Sequence, residues 1–161
     1  MNILTVINGA SEVLKKNHIK SAKLDSEILL SKIIRKDRKY IILNSDKELK
    51  NNYLTMFNEL IVKRSLGKPI AYLIGKKYFW KYEFCVSKDT LIPRPDTEIL
   101  IDYILKTTKY KSKLRILDIG VGSGCILLSI LKEKKNFYGT GIDISNKCIG
   151  ISKINASKLN L

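Results

Sequence analysis

The sequence predicts an α/β chain in three parts. Residues 1–66 read as a small helical bundle, 67–95 as a β-hairpin linker, and 96–161 as the opening β-α-β-α portion of a doubly wound parallel sheet. Three observations predict this order. Apolar residues recur at three- and four-residue spacing through the first part, the period changes to two after Gly67-Lys68-Pro69, and the last part sets a strand, a glycine loop, a helix and a second strand in succession.

In the helical part, Ile3, Ile7, Ala10 and Leu14 form one apolar stripe. Residues 22–36 place Leu29, Leu30, Ile33 and Ile34 on one side, with Lys23, Lys32 and Lys36 among the polar positions. Leu49, Tyr53, Phe57, Leu60 and Arg64 repeat the helical spacing. Ser45-Asp46-Lys47-Glu48 fits a capping box, in which the Ser and the Glu three residues on satisfy each other's free backbone donors, so a helix is expected over about 46–66.

From Tyr72 the alternation begins. Tyr78, Trp80, Tyr82, Phe84 and Val86 alternate with Phe79, Lys81, Glu83, Cys85 and Ser87, as expected of an extended ribbon with one buried face, and residues 71–92 read as a hairpin. The aromatic face reads as packing, since a base-stacking platform needs an open groove beside it. Pro93-Arg94-Pro95 holds the chain extended because each proline fixes its own φ and steers its predecessor away from the helical region. Asp96 is then placed to cap a new helix carrying Glu98 in its first turn and Ile99, Leu100, Tyr103 and Ile104 as its apolar stripe.

The chemistry lies beyond that helix. Leu114 to Ile119 is a short apolar strand that runs into Gly120-Val121-Gly122-Ser123-Gly124 and then into Cys125 to Leu131. Glycines let a backbone turn tightly and approach a ligand, and the start of the next helix offers unpaired N–H groups. A second strand, Tyr138 to Ile142, ends in Asp143, placed to accept hydrogen bonds from ribose hydroxyls. A dinucleotide fold wants G-x-G-x-x-G, and here the third glycine comes one residue early. The string Asp118-x-Gly120-x-Gly122-x-Gly124 instead resembles the first motif of class I (Rossmann-like) S-adenosylmethionine-dependent methyltransferases.

Three further segments make the resemblance more specific. Gly67-Lys68-Pro69-Ile70-Ala71-Tyr72-Leu73-Ile74-Gly75, then Tyr78-Phe79-Trp80, then Leu91-Ile92-Pro93-Arg94-Pro95-Asp96-Thr97-Glu98 resemble the signature of the release factor glutamine methyltransferases. The resemblance implies methyl transfer from S-adenosylmethionine to the amide nitrogen of a glutamine in a Gly-Gly-Gln loop, with peptide chain release factors as partners in translation termination. It also implies that the helical domain helps to grip that partner. Gly120, Val121, Gly122, Ser123, Gly124 and Asp143 would contact the cofactor, and Arg94 to Glu98 would lie near its pocket. The family's Asn-Pro-Pro-Tyr motif, which holds the substrate amide, is absent: of Pro69, Pro93 and Pro95, none follows an asparagine. No catalytic residue is therefore assigned, and the expectation is a truncated methyltransferase domain, inactive alone. Two alternatives stand beside this reading, a nucleic-acid adenine methyltransferase and a non-catalytic, partner-binding remnant.

Composition bounds these readings. The net charge of +15 is spread as +6 over residues 1–66, +2 over 67–98 and +7 over 99–161, so no one domain owns it. With 25 Lys against 5 Arg, 24 Ile and 11 Asn, the excess reads as the codon bias of an A/T-rich genome. Only weak, non-specific nucleic-acid binding is expected of such diffuse charge. Cys85, Cys125 and Cys148 form no CxxC pair and are odd in number, indicating neither a disulfide framework nor a metal site, and a reducing cytoplasm is expected. No basic start precedes the first apolar positions and no run approaches the roughly 20 apolar residues of a membrane span, so neither a signal peptide nor a membrane partner is expected.

Overall fold

A computed structural model describes residues 1–161 and divides them into two compact units, Met1–Ile74 and Gly75–Leu161. The hairpin belongs to the second unit rather than standing apart as a linker.

The first unit is entirely helical: α1 (Ile3–Lys16), α2 (Ala22–Ile34), α3 (Arg38–Leu43), α4 (Asn51–Ser65) and α5 (Ile70–Ile74). Asn2 starts α1 by accepting the Thr5 N–H at 2.9 Å, and the stripe of Ile3, Val6, Ile7, Ala10 and Leu14 is buried. These residues pack with Leu29 and Leu30 of α2, Ile41 of α3 and Phe57 and Ile61 of α4. Phe57 is fully buried, and truncating such a ring to alanine costs about 3–5 kcal/mol. Arg64, which the spacing assigned to the apolar stripe of α4, reaches the buried Asp25 of α2 at 2.7 Å and ties the two helices by a partly buried ion pair.

The capping box does not form. Helix α4 begins at Asn51, not near residue 46, and no side chain caps it. Residues 44–47 form a turn instead and Glu48 makes a single β-bridge with Asn2, which ties the segment to the start of α1: Leu4 N–H donates to Ser45 O, Ile3 N–H to Lys47 O, and Leu49 N–H to Met1 O. Those long-range backbone bonds replace the local ones that the Ser45–Glu48 spacing offered. The short helix α3, which sequence spacing did not indicate, follows a cap in which Asp37 accepts the Tyr40 N–H at 2.8 Å.

In the second unit the hairpin is shorter than the expected 71–92. Strand β1 (Lys76–Phe79) pairs antiparallel with β2 (Tyr82–Cys85), whereas residues 70–74 are helical. The buried face is not the one the alternation predicted. The two-residue turn Trp80-Lys81, with Trp80 at φ 55°, pairs Phe79 with Tyr82 and Lys77 with Phe84, so odd positions of β1 share a face with even positions of β2: Phe79 and Phe84 are buried together while Tyr78 is exposed. The two phenylalanines meet edge-on with centroids 6.3 Å apart.

Two acids hold the turn. Glu98 accepts the Trp80 backbone N–H at 2.8 Å, and Glu133 accepts from Trp80 Nε1 at 3.0 Å, Tyr82 OH at 2.9 Å and Lys81 Nζ at 3.0 Å. Burial opposes ionisation of Glu133, but the hydrogen bonds from Lys81, Trp80 and Tyr82 outweigh it and hold the carboxyl below its ordinary value. Asp96 caps nothing: it lies inside a 3₁₀ turn, Pro95–Thr97, and α6 (Glu98–Thr107) follows directly.

The remainder is β3 (Leu114–Ile119), α7 (Cys125–Glu133), β4 (Phe137–Ile142) and α8 (Asn146–Lys158). Strands β3 and β4 are parallel in register from Leu114↔Phe137 to Ile119↔Ile142, as a strand-helix-strand unit requires. Ile101, Leu128, Ile130 and Phe137 pack with Phe79 and Phe84 in the core. No helix is long and apolar enough to cross a membrane.

Candidate functional site

The carboxyl ends of β3 and β4 carry the site, where open α/β sheets place their ligands. The glycine loop leaves β3 and is fastened to the end of β4 by backbone bonds, Gly120 N–H and Val121 N–H both donating to Ile142 O at 2.8 and 2.9 Å. Within the loop Gly124 N–H donates to Val121 O at 2.7 Å. Gly120, Gly122 and Gly124 adopt φ of 81°, 54° and 80°, a left-handed backbone that other residues enter at a cost.

The three glycines do different work. A Cβ on Gly120 would meet open space, and one on Gly122 would find only Gly120 O at 3.9 Å. One on Gly124 would meet Leu128 Cδ1 at 2.8 Å, so Gly124 is small to let the loop close onto α7. Two glycines thus leave room beside the backbone and the third serves packing.

That room belongs to a cavity of about 360 Å³ lined by Asp118, Gly120, Val121, Gly122, Ser123, Cys125 and Ile126, and walled by Leu91, Ile92, Pro93, Arg94 and Thr97. Its size falls within the ~300–1,000 Å³ of small-molecule sites. Burial pushes the Asp118 carboxyl up, and the neighbouring charge of Asp143 adds to the rise. Burial likewise pushes the Cys125 thiol up, so it is no thiolate nucleophile near neutral pH.

Asp143 stands just after β4 with both oxygens engaged. Oδ1 accepts the Ser145 N–H at 2.9 Å and Oδ2 accepts the Gly122 N–H at 2.9 Å. These bonds hold its carboxyl below the ordinary range. Asp143 therefore anchors the loop. Each carboxylate oxygen keeps a second acceptor position, which leaves it able to receive a hydroxyl as well.

Of the residues singled out in sequence, Gly120 to Ser123 line the cavity, whereas Gly124 and Asp143 shape it from outside the lining. Arg94 and Thr97 line the wall, but Glu98 is committed to the hairpin turn. Asn155 escaped sequence reading. It is buried on α8, and its Nδ2 donates to Ser123 O at 2.8 Å, fixing the loop from below. A single polar position in a helix of mixed pattern gave no signal for it.

An all-helical unit and a parallel strand-glycine loop-helix-strand unit ending in an acid define the front of a class I methyltransferase behind a helical domain. Comparison with known proteins agrees. Residues 5–75 match the family model described as the PrmC N-terminal domain. The chain is 45% identical over 146 residues to the release factor glutamine methyltransferase of Buchnera aphidicola subsp. Acyrthosiphon pisum, covering 91% of this chain and 52% of that protein. The enzyme of the same name from Buchnera aphidicola subsp. Schizaphis graminum is 44% identical over 147 residues, 91% of this chain and 53% of that protein. The one from subsp. Baizongia pistaciae is 42% identical over 161 residues, 100% of this chain and 58% of that protein. Over 91–100% of its length the chain is thus similar to release factor glutamine methyltransferases, and it spans about half the length of the curated relatives it matches.

Proposed function

We propose that this chain supplies the cofactor-binding front and the helical domain of a methyltransferase that acts on the glutamine amide nitrogen of a peptide chain release factor. The observation that carries the reading is the cavity at Gly120 and Gly122, where a left-handed backbone and two absent side chains leave space beside a loop tied to Asp143. S-adenosylmethionine suits that space. Asp118 and Arg94, opposite in charge in one cavity, match a ligand whose amino-acid end carries both charges. Asp143 has acceptor capacity left for ribose hydroxyls, and Gly120 to Ser123 allow close passage of the ligand along the backbone.

The bound cofactor would supply a methyl group on a sulfonium; the carbon–nitrogen bond to the amide would form as the carbon–sulfur bond breaks, the sulfonium leaving as a neutral thioether and the amide nitrogen releasing one of its protons to water. The part of these residues is to bind and orient, which can account for several kcal/mol of such a barrier. The Asn-Pro-Pro-Tyr motif that would hold the amide is absent from the 161 residues, so none of them is assigned to the substrate amide. The helical unit would grip the protein substrate, and nucleic acid would bind only weakly and without sequence preference.

The test is calorimetry on a protein carrying this chain within a complete catalytic domain. S-adenosylmethionine should bind and NAD should not, and Gly122→Val should weaken the former by about ten- to a hundredfold by filling the cavity. Unchanged affinity in Gly122→Val, or equal affinity for NAD, would remove the assignment.

A further inference from the structure

The helical unit carries a second cavity whose chemistry the cofactor site does not explain. It has a volume of about 230 Å³ and lies between the end of α2, helix α3 and the start of α4. Lys36, Lys47 and Lys50 line it together with Tyr40 and Tyr53. Lys36 Nζ and Lys47 Nζ stand 5.6 and 5.4 Å from the centroid of the same Tyr40 ring. None of the three lysines is in an ion pair, although Glu48 lines the same cavity. Ile3, Ile34 and Leu49 give it an apolar component. A neighbouring cavity of about 460 Å³ shares Tyr53 and adds Arg35 and the exposed Met56.

We infer that this lysine–tyrosine groove docks an acidic protein segment, one apolar side chain of which enters the cavity between the ammonium groups. The size argues for such an anchor, since about 230 Å³ falls below the ~300–1,000 Å³ of small-molecule sites. Cations without counter-ions around a concave surface of aromatic, methionine and aliphatic side chains match a partner with carboxylates flanking an apolar residue. Nucleic acid fits less well. A base needs an open ring face to stack on, and two ammonium groups already engage the π-system of Tyr40. The inference deepens the reading of the helical unit as the grip on a protein substrate, and rests on that reading only for which protein the segment belongs to.

The experiment uses the full chain and fluorescence anisotropy of a labelled peptide of repeated Glu-Leu-Glu-Asp units at physiological ionic strength. Lys36→Gln/Lys47→Gln/Lys50→Gln removes three charges but keeps much of each stem, and circular dichroism checks its fold. A control, Lys106→Gln/Lys109→Gln/Lys111→Gln, removes the same charge from the other unit. Binding should fall about tenfold or more in the first variant and about twofold or less in the control. Replacing Leu by Ser in the probe should weaken binding to the unaltered chain and matter little to the first variant. Equal losses in both variants would mean diffuse charge alone, and tighter binding of a single-stranded RNA of equal charge to the groove would make it a nucleic-acid surface; either overturns the inference. The assay contains no cofactor and follows no methyl transfer, so its failure leaves the reading of the glycine loop standing, and failure of that loop leaves this one standing.

Discussion

Asn155 pairs with Cys85 as a neighbouring strand would. Its Oδ1 accepts the Cys85 N–H at 2.7 Å and its Nδ2 donates to Cys85 O at 3.0 Å. The second Nδ2 hydrogen goes to Ser123 O, so one amide from α8 joins the end of β2 to the glycine loop.

Removing that amide should be costly because three backbone groups lose their partner. Asn155 is 1% exposed, so water cannot substitute without rearrangement. Asn155→Ala should destabilise by about 2–4 kcal/mol, read as a lower urea midpoint. Asn155→Asp keeps the size but turns acceptors toward Cys85 O and Ser123 O, and should be at least as harmful near neutral pH. Equal stability of Asn155→Asp and the unaltered chain would contradict this account of the amide.

The contrast between Asn155 and the glycine loop explains what the sequence could disclose. Strand, loop, helix, strand and acid follow one another within residues 114–143, so their spacing survives as a pattern. The α1 stripe is legible for the same reason. Asn155 meets Cys85 across 70 positions and Glu133 meets Trp80 across 53, and no local period records such pairs. The Ser45–Glu48 box misled because its own backbone is bonded to residues 1–4, a tertiary override of a local preference. The hairpin phase misled because a two-residue turn, marked by no Gly or Asn but with Trp80 in the left-handed position, sets odd residues of β1 on the same face as even residues of β2.

Gly122 and Gly124 should separate binding from stability. Gly124→Ala brings a Cβ within 2.8 Å of Leu128 Cδ1, on a buried side chain, and also forces φ 80° on a non-glycine residue. A loss of about 1–3 kcal/mol is expected in urea unfolding. Gly122→Ala meets nothing closer than 3.9 Å, so its stability cost should be only that of the backbone, about 1–2 kcal/mol. Its added methyl group enters the cavity instead, and calorimetry in the complete catalytic domain should find more cofactor affinity lost per unit of stability for Gly122→Ala than for Gly124→Ala. The opposite ranking would reverse the roles assigned to the two glycines.

The hold of Asp143 on the loop has a defined pH dependence. Backbone donors from Ser145 and Gly122 lower its pKa in the folded chain. The stabilisation is therefore fully present above the unfolded value, about 3.9, and is lost as pH falls through the lower folded value. The Gly122 and Ser145 amide resonances should titrate together, with a midpoint below the ordinary aspartate value. Asp143→Asn keeps a carbonyl acceptor but turns an amide donor toward the other N–H, so it should loosen one bond and keep one. A midpoint at or above the ordinary value would show that the carboxylate does not hold the loop.

One side of the β3–β4 sheet is uncovered. The parallel register sets Arg115 beside Tyr138, Leu117 beside Thr140 and Ile119 beside Ile142, and this face is open, with Leu117 58% and Ile119 76% exposed. Strand β3 is also paired on one side only, because the sheet has two strands. Parallel strands are ordinarily covered on both faces, and an apolar face beside an unpaired edge is a template for association. The net charge of +15 opposes contact between copies of the 161-residue chain. Salt screens that repulsion while leaving apolar attraction in place, so association should grow with ionic strength. Sedimentation at low and high salt should show the increase, and Leu117→Lys/Ile119→Lys should suppress it by placing charge on the face without touching the buried side of the sheet. A chain that stays monomeric at both salt concentrations, or a double variant that associates as readily as the unaltered chain, would show that this face does not drive contact.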